Sequence, residues 1–265
     1  MIVKAEQLHY SIGKKTLLSN ISFTAHTGEL LVILGANGAG KSTLLKLISK
    51  ELKPTKGTVI LNSLPLQNWR NAELAKCRAV LAQQTAINLP FTATEIVMMG
   101  RYPHFRSTPA TVDFDVVHEV MDYVGIAKLA DQNYLTLSSG EQQKVQLARV
   151  LAQIWDNPSQ SKLLLLDEPI NALDIQYQHQ ILQLVKKLTY SGFNVITVLH
   201  DLNLALQYAD KLLMLKEGKQ VALGDKSLLT EDVIKEVFNV NSFIHRKENE
   251  YTYVAIELIQ NEQYY

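Results

Sequence analysis

Cysteine is almost absent: Cys77 is the single one in 265 residues, so no internal disulfide can form. The opening residues Met1-Ile2-Val3-Lys4-Ala5-Glu6 lack the long apolar stretch of a secretory signal. The cytoplasm is therefore the expected compartment. No run approaches the roughly 18 to 20 apolar residues that a membrane-crossing helix needs, so any role at a membrane must pass through a partner. Neither sign of charge is in excess, with 26 basic residues against 26 acidic ones. A nucleic-acid binder would be expected to carry a basic footprint, and the balance argues against DNA or RNA partners. Internal repeats, low-complexity tracts and long coiled-coil insertions are also missing.

What is present suffices for a packed globular protein, since 47% of the residues are hydrophobic. The most informative stretch is Gly35-Ala36-Asn37-Gly38-Ala39-Gly40-Lys41-Ser42-Thr43, which follows the apolar run Leu30 to Leu34. Its spacing is that of a phosphate-binding loop. Glycines let backbone N–H groups close around phosphate oxygens, Lys41 meets the β and γ phosphates, and Ser42 offers a hydroxyl to Mg²⁺. The run before it reads as a buried strand, and Lys41 to Glu51 as the helix whose N-terminus holds the anion. A plain glycine-rich turn would not need Lys-Ser-Thr directly after its last glycine, and the G-x-G-x-x-G dinucleotide register is absent.

Residues 1 to 34 read as short strands with turns at Gly13-Lys14-Lys15 and Thr27-Gly28. Tyr10 in this region is either a ring stacked on an adenine base or a half-buried strand residue. Thr58 to Asn62 and Ala79 to Ala82 read as strands, with a short helix at Ala72 to Cys77 between them. Gln83 stands at a strand end. From Pro90 to about Trp155 the periodicity is helical, as in an inserted helical piece. Within it, Gly100 to Pro109 is a proline-bounded loop whose aromatic and basic side chains are expected on the surface. That makes it a docking loop for a partner or an exposed connection with no role. Leu137-Ser138-Ser139-Gly140-Glu141-Gln142-Gln143 leads into a helix over Lys144 to Ala152. Its small residues leave N–H groups open to an anion, and Ser138 with Glu141 also reads as an ordinary capping box.

Leu163 to Leu166 closes on Asp167 and Glu168, a buried strand delivering acids to the edge where α/β folds bind ligands. Asp167 is placed to hold Mg²⁺ and Glu168 to orient or activate water; an Asp-Glu helix cap is the plainer alternative. A helix to about Lys187 follows, then a strand over Val195 to Leu199 ending at His200. Shorter strands at Lys211 to Lys216 and Gln220 to Leu223, a helix at Glu231 to Phe238, and a last pair of strands ending at Leu258 complete the chain.

The order of these motifs resembles the ABC-type ATPases over essentially the whole length. Leu137 to Gln143 matches the family signature, Leu163 to Glu168 its second nucleotide motif, Asn171 to Asp174 its D-loop, His200 its switch histidine and Gln83 its Q-loop glutamine. The resemblance implies an α/β fold: a P-loop NTPase core with an N-terminal antiparallel β subdomain and an inserted α-helical subdomain. Residues 1–89 and 160–240 would form the core with its β subdomain. About 90–159 would be the helical subdomain with the signature, and 241–265 a C-terminal strand extension.

It further implies ATP and Mg²⁺ as ligands. Glu168, His200 and Lys41 would be the catalytic groups, and Ser42, Gln83 and Asp167 would surround the metal. The nucleotide would be held by Gly35 to Thr43, Tyr10 and Asp174, and by Ser138, Ser139, Gly140 and Glu141 of a second copy. That homodimer would sit at the cytoplasmic face of the inner membrane on an integral-membrane permease dimer, with a periplasmic substrate-binding protein reached only through the permease. Leu89 to Thr92, Gly100 to His104, Leu147 to Gln153 and His200 to Ala205 are most similar to importers of iron chelates, cobalamin and heme, above all those that import hemin. A soluble ABC ATPase acting as scaffold or switch is the alternative of another class. A docking role is expected for His104 in preference to heme ligation. Three positions depart from the family pattern: Ser139 replaces a signature glycine, Asn171 a common serine, and Ile12 a stacking aromatic that Tyr10 would supply instead.

Overall fold

A computed structural model describes residues 2–83, 87–156, 162–246 and 252–257. The first half places β1 (Ile2–Ile12), β2 (Lys15–His26), β3 (Leu30–Gly35), α1 (Lys41–Ile48), β4 (Lys56–Leu61), β5 (Leu64–Pro65), α2 (Asn71–Leu74) and β6 (Arg78–Leu81). A helical stretch follows with α3 (Ala93–Met98), α4 (Thr111–Val124) and α5 (Ser139–Ile154). The chain then returns through β7 (Lys162–Asp167), α6 (Ile175–Tyr190), β8 (Phe193–Val198), α7 (Leu202–Tyr208), β9 (Lys211–Lys216), β10 (Lys219–Gly224) and α8 (Glu231–Phe238). It closes on β11 (Asn241–Arg246) and β12 (Thr252–Glu257), which form a hairpin of their own. Leu258, the expected end of the last strand, lies outside the described residues.

Ten strands make one sheet in the order β5-β4-β1-β2-β10-β9-β3-β8-β7-β6. The β9-β3-β8-β7-β6 half is parallel and the β5-β4-β1-β2 half antiparallel. β10 joins them, antiparallel to β9 and held to β2 by a single parallel bridge, Lys219 with Ser19. The sequences explain the division. β3, β7 and β8 are buried at every position, as strands covered on both faces must be, whereas β1 alternates buried Val3 and Ala5 with exposed neighbours. Successive residues of the central strands feed opposite layers. Leu30, Val32 and Leu34 join the core under the long helices, while Leu31 and Ile33 join the core shared by α1 and the antiparallel strands. Each buried leucine removed from water in this way contributes about 1.5 to 3 kcal/mol.

Several expected boundaries shift. α1 stops at Ile48 and not Glu51, because Leu52 N–H turns back to the Lys46 carbonyl and Lys50 takes φ 68°. α2 covers Asn71 to Leu74, its last carbonyl accepting from Cys77 N–H as the chain unwinds toward β6. α5 begins at Ser139, inside the expected loop, because Ser138 caps it.

Candidate functional site

Four neighbouring parallel strands end at one edge of the sheet. β3 delivers Gly35, β8 leads to His200, β7 ends on Asp167 and Glu168, and β6 leads to Gln83. Residues far apart in sequence are thereby gathered into one site.

The loop after β3 is shaped by its glycines. A methyl group on Gly35 would lie 2.4 Å from the Leu215 carbonyl oxygen on β9, so the strand fits only without one. Several of the loop's carbonyls are occupied. Lys41 Nζ donates to the carbonyls of Gly35 at 2.8 Å and Ala36 at 3.0 Å, and Ala39 O accepts from Gly218 N–H. Most of its N–H groups are not, Ala39 N–H, which turns back to the Ala36 carbonyl, being an exception. Among the described residues no backbone carbonyl accepts from Gly38, Gly40, Lys41, Ser42 or Thr43, so the start of α1 presents donors and a positive helix end to solvent. Lys41 itself is buried, and burial pulls its ammonium below the ordinary lysine value while Glu168 and Asp167 oppose that shift. A phosphate group would satisfy both the open donors and this desolvated cation.

Ser42 Oγ donates to Asp167 Oδ1 at 3.2 Å. Burial pushes the Asp167 carboxyl up, against the Ser42 hydrogen bond. Glu168 follows with φ 52°, a backbone region costly for a residue with a side chain. Its carboxylate is held on both oxygens. His200 Nε2 lies 2.5 Å from Oε1, while Gln83 Nε2 donates to Oε2 at 2.7 Å and Asn171 Nδ2 at 3.2 Å. The hydroxyl of Ser42 and the carboxylate of Asp167 form a hard oxygen donor pair that suits Mg²⁺, which is usually held by one or two carboxylates together with substrate phosphates.

Ser138 to Glu141 stand elsewhere. Ser138 Oγ donates to Glu141 Oε2 at 2.7 Å, and Glu141 N–H returns to Ser138 Oγ at 3.4 Å. This capping box holds the Glu141 carboxyl below the usual range, chiefly through the Ser138 hydroxyl. Among the described residues no hydrogen bond or ion pair joins these four to the loop of Gly35 to Thr43. Ser139 is exposed, whereas Gly140 is buried beneath the Tyr177 ring. Asp174 caps α6, its Oδ1 accepting from Tyr177 N–H at 2.9 Å. Tyr10 is half-buried, opposite Leu18 on β2 and packed on the core around α1; Leu18 in turn borders Gly40. Ile12, at the hairpin tip, is exposed.

The loop after α3 corrects two expectations. Arg101 is not on the surface: it is 2% exposed, with Nε 3.0 Å from Asp113 Oδ1 and Nη1 bonded to Asp156 Oδ2 at 2.5 Å and the Ala152 carbonyl at 2.7 Å. A guanidinium can be buried only with such a set of acceptors. His104 also turns inward, Nε2 2.9 Å from the Gln153 carbonyl and Nδ1 3.1 Å from Asp156 Oδ2. It anchors the loop and does not present itself for docking. Tyr102 and Arg106 remain exposed, and Tyr102 meets Phe105 edge to face at 5.8 Å. Asn171 is the site residue the sequence undervalued, read only as a departure from a common serine. The signal was its position three residues after Glu168, within reach of that carboxylate once the chain turns.

A donor-lined loop at the start of α1, facing a carboxylate pair at the end of β7, defines a P-loop nucleotide-binding protein. The family is narrower. The family model described as ABC transporter matches residues 18–171, and the chain belongs to this family as one of its ATPases. It is similar to the hemin import ATP-binding protein HmuV of Gloeobacter violaceus, with 43% identity over 92% of this chain and 90% of that one. The protein of the same name in Escherichia coli O157:H7 is 40% identical over 91% and 93%. Among solved structures, an ABC transporter described as of metal-chelate type, in an inward-facing conformation, aligns with TM-score 0.83 and 26% identity over 97% of both chains. A bacterial ABC transporter cassette solved as a dimer aligns with TM-score 0.71 and 29% identity over 84% of this chain and 98% of that one.

Proposed function

We propose that this chain is the ATP-hydrolysing subunit of a hemin importer. The observation that carries the reading is 40 to 43% identity, over about nine tenths of the chain, to hemin import ATP-binding proteins of distant bacteria. Two copies would face each other on the cytoplasmic side of the inner membrane, bound to an integral-membrane permease dimer. A periplasmic substrate-binding protein would reach them only through that permease. The dimeric cassette structure supports the pairing, and so does the separation of Ser138 to Glu141 from the loop of their own copy.

In this assembly each ATP lies between Gly35 to Thr43 of one copy and Ser138 to Glu141 of the other, with Tyr10 against the base and Asp174 at the rim. Mg²⁺ would be held by Ser42 and Asp167, with Gln83 beside them, and would supply charge neutralisation at the β and γ phosphates. Lys41 leaves the carbonyls of Gly35 and Ala36 for the phosphate, exchanging two neutral acceptors for an anion. Glu168, fixed by Gln83, Asn171 and His200, orients water and takes its proton, and His200 stands within reach of the transferred group. Catalysis then rests on positioning and electrostatics. Preference of ATP for the closed pair biases the permease, and its loss on hydrolysis lets the pair open.

The test is ATP hydrolysis by the complex of this chain with its permease, comparing binding proteins loaded with hemin, cobalamin or a ferric siderophore. Stimulation by the hemin-loaded protein is expected. The likeness to a transporter of metal-chelate type supports a second reading, in which another iron chelate or cobalamin is the cargo, and stimulation by one of those would establish it. Glu168→Gln should lower the rate about 100-fold or more while nucleotide still binds; full activity in that variant would overturn the role given to Glu168.

A further inference from the structure

The start of α5 is fastened to the segment that carries Glu168. Gln143 Nε2 donates to the Pro169 carbonyl at 2.7 Å, and Pro169 is the residue directly after Glu168. One turn away, the Tyr177 ring lies flat against Gly140, so closely that a methyl group there would sit 2.5 Å from ring atoms Cγ and Cδ1. Lys144 Nζ stands 5.1 Å from the centre of the same ring and donates to Gln180 Oε1 at 2.6 Å. Beyond Pro169 the chain is equally constrained. Asn171 N–H returns to the Glu168 carbonyl at 3.2 Å, and Asn171 Nδ2 reaches the Glu168 carboxylate. Pro169 thus sits inside a closed turn whose rotation would swing that carboxylate, and Gln143 is the side chain that holds it from outside.

We propose that Gln143 is a positioning residue that sets Glu168 through the Pro169 carbonyl, making the start of α5 and the Glu168 turn of one copy move together. The inference rests on the reading above, in which Ser138 to Glu141 of each copy face the nucleotide held by the other. Under it, nucleotide clasped by the α5 turn of one copy orients the Glu168 of that same copy, which serves the second nucleotide. The two sites are then coupled through Gln143. The Tyr177 contact on Gly140 keeps α5 and α6 in register while this happens, and it uses the ring face and not the hydroxyl.

The experiment is steady-state ATP hydrolysis by the full-length chain across ATP concentrations, reading kcat, KM and the Hill coefficient. Gln143→Met keeps the length of the side chain and removes the donor. It should lower kcat about tenfold, the scale of a modest misplacement of a reacting group, leave KM within about twofold, and bring a Hill coefficient above one in the wild type down to one. Gln143→Lys, which restores a donor, should recover most of the rate, and Tyr177→Phe should behave as wild type. An active wild type, an inactive Glu168→Gln and a Gln143→Met variant with wild-type kcat and Hill coefficient would overturn this inference and leave the underlying reading standing. A wild-type Hill coefficient of one would also overturn it. Full activity in Glu168→Gln would overturn the underlying reading, and this inference with it.

Discussion

Ser42 Oγ donates to Asp167 Oδ1 across 3.2 Å, tying the first turn of α1 to the end of β7. The bond leaves a buried carboxylate whose charge is poorly compensated in the free protein, since burial dominates its upward shift. Asp167→Asn keeps the shape and an acceptor for Ser42 while removing that charge. The variant should melt higher than wild type in the absence of nucleotide, by about 1 kcal/mol, as when a functional-site compromise is relieved. Its Mg²⁺-dependent ATP affinity should fall at least about tenfold. Thermal melts and nucleotide titrations check the two halves separately.

Gly35 tests the packing of the loop. With the Leu215 carbonyl 2.4 Å from where its Cβ would be, Gly35→Ala must push β3 and β9 apart. The expected cost is about 3 kcal/mol, read as a lower urea midpoint, together with weakened nucleotide binding.

Cys77 is buried near the end of α2, and burial pushes its thiol up to about 11 from 9.0. The folded chain therefore holds this proton more tightly than the unfolded one. Its contribution to stability is complete below pH 9 and is lost as pH rises from 9 toward 11. Cys77→Ala should flatten the alkaline fall in stability over that window. In the wild type, alkylation at pH 8 should be slow until denaturant is added, as a thiol-labelling time course would show.

Asn203, at the start of α7, uses its amide to pair with both backbone groups of Val254 on β12. It donates to the carbonyl at 3.2 Å and accepts from the N–H at 2.7 Å. Asn203→Ala should cost about 1 to 2 kcal/mol locally. Hydrogen exchange should quicken in β11 and β12 and stay unchanged in β3.

The parts of the site legible in the sequence are those contiguous in it. Gly35 to Thr43 and Leu163 to Glu168 each place strand, turn and functional side chains within one short window, so spacing alone identifies them. The convergence on Glu168 is not of that kind. Gln83 and His200 come to it from strands on either side of β7, and only the strand order makes them neighbours. The burial of Arg101 is hidden from the sequence for the same reason: its acids lie 12 and 55 residues away, so a proline-bounded loop with basic residues looks exposed until they are in place. Helix ends moved where a cap or a returning N–H decided the matter, as Ser138 does for α5 and Leu52 for α1.

The buried guanidinium has a consequence for anyone who would build chimeras of this protein. Gly100 to Pro109 looks like a cassette that could be exchanged with a relative's. Yet its foundation is not inside it, because Asp113 belongs to α4 and Asp156 follows α5. A transplant of the loop alone would carry the cation and leave its acids behind. The recipient would then have to bury an unpaired charge at a cost of about 3 to 5 kcal/mol, so the transferable unit is the loop together with both of those distant carboxylates.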